Sequence, residues 1–93
     1  MKKEMTNTQI NEAVAKALGF SKVRLELSFP DFCNDLNACV VWMKPQCDYV
    51  DILLSDGMAN VAVKINMSER SIVEKSAAKA WCLAFLKAKG VDK

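Results

Sequence analysis

A small α/β/α sandwich, in the order α-β-α-β-β-α with an antiparallel C-terminal β-hairpin, is the fold that three features of this 93-residue chain predict. Apolar residues recur at helical spacing near the N-terminus. Three later segments alternate apolar and polar residues with period two. A long alanine-rich face then runs toward Gly90. Helices laid on both faces of a small sheet bury everything this pattern asks to bury.

Residues Thr6 to Leu18 read as an amphipathic helix, because Ile10, Ala13, Val14, Ala17 and Leu18 form one stripe. Thr6 with Gln9 is a capping-box signature, and Gly19 is placed to end the helix in a left-handed turn. Val23, Leu25, Leu27 and Phe29 alternate with polar residues as a half-buried strand that Pro30 stops. A short helix follows, with Leu36, Cys39, Val40 and Met43 on its inner face and Asn34 or Asp35 at its N-cap. Pro45 ends it at or before Lys44.

Val50, Ile52 and Leu54 define the next strand, and Val61, Val63 and Ile65 the one after. Asp56-Gly57 between them signals a tight hairpin. Leu53 and Ala62 soften the polar side, so the sheet is expected to be covered on both faces. The last helix is expected to begin at Ser68, with Met67 and Ile72 as a hydrophobic staple, and to run through Trp81 to Gly90.

Length and composition make residues 1–93 one domain, with residues 1–5 a flexible N-terminal arm. The longest uncharged apolar run, Leu36 to Met43, is far shorter than the ~20 residues a bilayer requires, so no membrane span is expected. Met1-Lys2-Lys3-Glu4 leads into polar residues and not into the apolar stretch of a signal peptide, which makes the expected location cytoplasmic. Thirteen basic and eleven acidic residues leave a net charge of +2. That balance lacks the basic excess of a dedicated nucleic-acid binder.

The chain has no histidine, and Cys33, Cys39, Cys47 and Cys82 contain no C-x2-C pair. No metal site and no cofactor are therefore expected. The thiols are expected to be reduced, with Cys39 and Cys82 buried on apolar faces and Cys47 the most exposed. There is no glycine-rich phosphate loop and no serine elbow, and no cysteine has an activating neighbour. The expectation is that the protein is not an enzyme.

The densest polar stretch lies between the first strand and the second helix. Asp31, Asn34, Asp35 and Asn37 fall within seven residues. One reading makes them a helix entry, with Asp35 or Asn34 capping and Asp31 and Asn37 bonding turn amides. The other makes them acceptors and amides presented to a partner at a helix N-terminus. Val41 and Trp42 fall off the inner face of the second helix, and an exposed pair there would form an apolar contact patch. The competing reading has another element covering Trp42.

The segment Pro30-Asp31-Phe32-Cys33-Asn34-Asp35-Leu36-Asn37-Ala38 resembles a motif of small bacteriophage and prophage proteins of the phage ABA sandwich type. Ile10-Asn11-Glu12-Ala13-Val14-Ala15-Lys16-Ala17-Leu18-Gly19-Phe20 is similar to that family's first helix, and Ala77 to Gly90 to its alanine-rich last one. The apolar run Cys39-Val40-Val41-Trp42-Met43 departs from the charged helix of those proteins. The resemblance implies an α/β/α sandwich encoded by a phage and no established activity. With the absence of catalytic residues, it points to a non-catalytic accessory protein that binds a host or phage protein, for example as an inhibitor of a bacterial defence system. The alternatives are a self-associating module, such as a homodimer through a strand edge or the second helix, and a binder of a small polar ligand.

Overall fold

The computed structural model describes residues 6–20 and 30–90. The expected arm (residues 1–5) and the expected first strand (Val23–Phe29) lie outside them. The described residues form a small α+β domain with three helical segments and a three-stranded antiparallel sheet.

Helix α1 spans Asn7–Ala17. Its capping box is complete: the Gln9 amide donates to Thr6 Oγ1 at 3.1 Å and the Thr6 amide donates to Gln9 Oε1 at 2.9 Å. Two of the four orphan donors of a helix start are thereby satisfied. Gly19 closes the far end at φ +91°, a left-handed conformation that costs glycine little.

The second helical segment is composite. It opens as α2, Leu36–Ala38, widens into a π-turn at Cys39–Met43, and tightens into a 3₁₀ turn at Lys44–Gln46. Pro45 has no amide hydrogen to donate back into the helix, and the Lys44 amide bonds instead to the Cys39 carbonyl five residues away.

Strands β1 (Tyr49–Ser55), β2 (Met58–Ile65) and β3 (Ser68–Glu74) form a meander. The first hairpin turns at Asp56-Gly57, with φ +54° and +75°, the pair of left-handed residues that a right-twisted hairpin favours. The second turns at Asn66 (φ +57°) and Met67. That second hairpin corrects the sequence reading. Ser68 does not cap the last helix, and Met67 is an exposed hairpin tip and not a staple. The β-branched Ile72 and Val73 suit a pleated surface, and Asn66 tolerates the left-handed turn that starts the strand. In this register Ile72 sits opposite Val61 on the core side, and Val73 opposite Asn60 on the other.

The last helix, α3, therefore spans only Ala77–Ala88, and its cap is Ser76, whose hydroxyl accepts the Lys79 amide at 3.3 Å. It lies across β2 and β3, with α1 packed beside it. Ile10 and Val14 of α1, Val61, Val63 and Ile65 of β2, and Trp81 and Phe85 of α3 form the core. The opposite side of the sheet is exposed at Asp51, Leu53, Asn60, Glu69, Ser71 and Val73. Among the described residues the helices thus cover one face, where the alternation had suggested cover on both.

Candidate functional site

The segment 31–39 is tied to both helices that flank it. The Asn34 amide bonds the Asp31 carbonyl at 3.1 Å, closing a turn that the Asn34 side chain reinforces by donating to Asp31 Oδ2 at 2.9 Å. Asn11, on α1, completes the knot. It is only 7% exposed, donates to Asp31 Oδ1 at 2.7 Å, and accepts the buried Cys33 amide on its own oxygen at 2.9 Å. Its position in the similar first-helix segment was the one sequence signal for this residue. Composition and periodicity did not single it out.

Asp35 fulfils the capping role: its carboxylate accepts the Ala38 amide at 3.3 Å. On the other flank, the Ser76 hydroxyl donates to the Cys33 carbonyl at 3.3 Å while capping α3. The Cys39 thiol donates to the Phe32 carbonyl at 3.3 Å. Phe32 and Cys33 are fully buried between these attachments. Donated hydrogen bonds, first from Asn34 and then from Asn11, hold the Asp31 carboxyl below its usual pKa.

Three of the four polar candidates are thus engaged within the chain. Asp31 and Asn34 bond each other, Asp31 also bonds Asn11, and Asp35 caps α2. Asn37 is exposed on α2. Among the described residues no group of three or more histidine, cysteine or acidic side chains is arranged to hold a metal ion.

The apolar candidates separate. Val41 is 56% exposed. Trp42 is half-buried, with its ring edge-to-face against Phe20 at 5.1 Å between centroids; Phe20 in turn meets Phe32 at 6.4 Å. Leu36 and Val40, expected to face inward, are exposed, whereas Cys39 and Met43 are completely buried. The single stripe read at 3.6 residues per turn is therefore divided. Residues 39 and 43 are its buried part, and residues 36 and 40, each one turn apart on the neighbouring row, face outward. The result is an exposed apolar set, Leu36, Val40 and Val41, on a segment fixed from below by the aromatic contacts.

Cys39 and Cys82 are buried and Cys47 is the most exposed of the four, as their positions suggested; Cys33 is buried as well. Cys47 donates to the Met43 carbonyl at 3.2 Å, and burial pushes its pKa up to about 11. Cys82 is raised further by hydrogen bonds with Cys33 and Cys39 and by burial, so it stays a thiol. Among the described residues no helix is long and apolar enough to cross a membrane. Comparison with protein-family models, with curated proteins and with solved structures finds no match to this chain.

Proposed function

We propose that this is a non-catalytic protein-binding domain whose contact surface is the exposed apolar set Leu36, Val40 and Val41, with Asn37 at its rim. The observation that supports this most is the exposure of these three side chains on a turn anchored by the Asp35 cap and by the buried Cys39 thiol on the Phe32 carbonyl. Apolar side chains clustered on a fixed surface favour partner contact, since burying them costs no refolding. The π-turn at Cys39–Met43 fits the same role, because such widened turns concentrate at functional positions. The partner class suggested by the resemblance is a host or phage protein, with a bacterial defence component as one such target. The polar cluster then serves the site indirectly: Asp31, Asn34 and Asp35 shape the loop and the helix entry that present the patch.

The test is affinity capture from bacterial lysate with tagged protein, read by mass spectrometry. Val41→Asp should lose a stoichiometric partner, with binding weakened tenfold or more, while its circular dichroism matches the parent. Asp35→Ala should keep the partner on its folded fraction. Equal capture by Val41→Asp and the parent would remove the patch from consideration.

A further inference from the structure

We propose that a second copy of this chain pairs antiparallel along the outer edge of β1, giving a two-fold dimer in which the three described strands of each copy form one continuous sheet. This surface shares no residue with the Leu36–Val41 patch, so the two proposals fail independently.

Among the described residues the two outer strands of the sheet differ in kind. Edge strands carry unpaired backbone donors and acceptors, and monomeric proteins protect them with charges, prolines or bulges. β3, at one edge, carries Glu69, Arg70 and Glu74. β1, at the other, reads Tyr-Val-Asp-Ile-Leu-Leu-Ser, has one charge and no proline, and pairs with β2 without a bulge over all seven residues. Among the described residues no strand pairs with its outer side.

Apart from Val50, which is half-buried against the core, its side chains are exposed on both faces. Val50, Ile52 and Leu54 stand opposite Val63, Val61 and Ala59, which are buried under α3. Yet α3 lies over β2 and β3, so Ile52 is exposed and Leu54 is 70% exposed on the face that is core elsewhere. Leu53, on the other face, is 63% exposed.

The strand is complementary to itself in one register. A two-fold axis normal to the sheet preserves its faces and must pass through a residue. Centred on Ile52, all seven residues pair: Tyr49 with Ser55, Val50 with Leu54, and Asp51 with Leu53 of the second copy. The lone carboxylate then meets an apolar side chain. Centring on Asp51 sets two carboxylates directly opposite, which is destabilising. Centring on Leu53 leaves only residues 51–55 paired. The Ile52 register also joins Val50, Ile52 and Leu54 of both copies into one apolar seam between the two α3 helices.

Seven paired residues make a small interface, near the lower end of specific contacts, so dissociation is expected in a roughly micromolar range. Sizing with light scattering across concentration should show the mass rising from 10.3 kDa to twice that value. The register makes a sharper demand. Leu53→Asp places a carboxylate opposite the second copy's Asp51 and should yield a monomer. Leu53→Lys places an ammonium there and should keep the dimer, with affinity falling as salt is added. Position 53 is exposed, so both variants should fold, as circular dichroism would verify. A parent that stays monomeric to about 1 mM overturns the proposal. So does a Leu53→Asp variant that dimerises like the parent, and two monomeric variants overturn the register.

Discussion

Replacing Asn11 tests the account of the polar cluster most directly. In Asn11→Ala the buried Cys33 amide loses its acceptor, and the Asn11 donor to Asp31 disappears. Leaving a buried amide unpaired costs about 1–3 kcal/mol. The Asp31 bond adds little to that figure, because this carboxylate is exposed and water replaces the missing donor. The expected loss is therefore about 1–3 kcal/mol, or roughly 4–8 °C in Tm for each kcal/mol in a domain of this size. Urea unfolding followed by circular dichroism measures it. Asn11→Asp separates the two bonds. It keeps an oxygen for the Cys33 amide but sets a second carboxylate where Asn11 had donated to Asp31 at 2.7 Å. Two carboxylates at that distance share a proton, so one of their pKa values is raised in the folded state. The variant should be destabilised at pH 7 and should recover relative to the parent as pH falls through that raised pKa. An Asn11→Ala protein within 0.5 kcal/mol of the parent, or an Asn11→Asp protein with the parent's pH dependence, would refute the reasoning.

Asp31 makes its own contribution to acid sensitivity. Its folded pKa is depressed by bonds from Asn34 and Asn11, so the associated stability is present above the unfolded value of about 3.9 and is lost as pH falls through the lower folded value. Asp31→Asn should flatten the pH dependence of the urea midpoint below about pH 4, and an unchanged slope would show that these bonds do not couple to folding. Asp35→Ala removes the carboxylate that accepts the Ala38 amide and should cost about 0.5–2 kcal/mol in the same assay. A loss near zero would mean that the cap is replaced by water. Cys47, with its pKa raised to about 11, should alkylate at pH 8 more slowly than an unperturbed thiol and accelerate up to about pH 11. Cys33, Cys39 and Cys82 should react only on unfolding, and labelling of a buried thiol before Cys47 would contradict the packing.

Which elements could be read from the chain depended on whether the determining signal was local. The α1 capping box, the Asp56-Gly57 hairpin and the Asp35 cap are each written within four residues and each appears in the structure. β3 was missed because Ser68 to Glu74 mixes a plausible helix cap and early acidic residues with only two β-branched residues. Its strand character comes from pairing with β2, a contact between segments. The division of the second helix escaped for a related reason. A stripe of four apolar residues does not say which adjacent row faces the core, and packing chose Cys39 and Met43. Asn11 could not be separated from surface polar residues by periodicity, because its burial follows from the approach of residues 31–34 from another part of the chain.

That approach also determines where recognition is available. Asp31, Asn34 and Asp35 looked as much like a binding surface as like a helix entry. Once folded, Asp31 and Asn34 are each other's partners, and Asp35 spends an oxygen on its own helix. A ligand competing for these groups would have to replace hydrogen bonds already made, including one network member, Asn11, that is buried. The apolar side chains carry no such commitment. Val41 is exposed on a turn whose Cys39 and Met43 are buried, and Leu53 and Leu54 on a strand hydrogen-bonded to β2, so contact there gains apolar burial without giving up an internal bond. Both proposals therefore rest on exposed apolar surface, and Val41→Asp tests the foreign partner while Leu53→Asp tests the second copy.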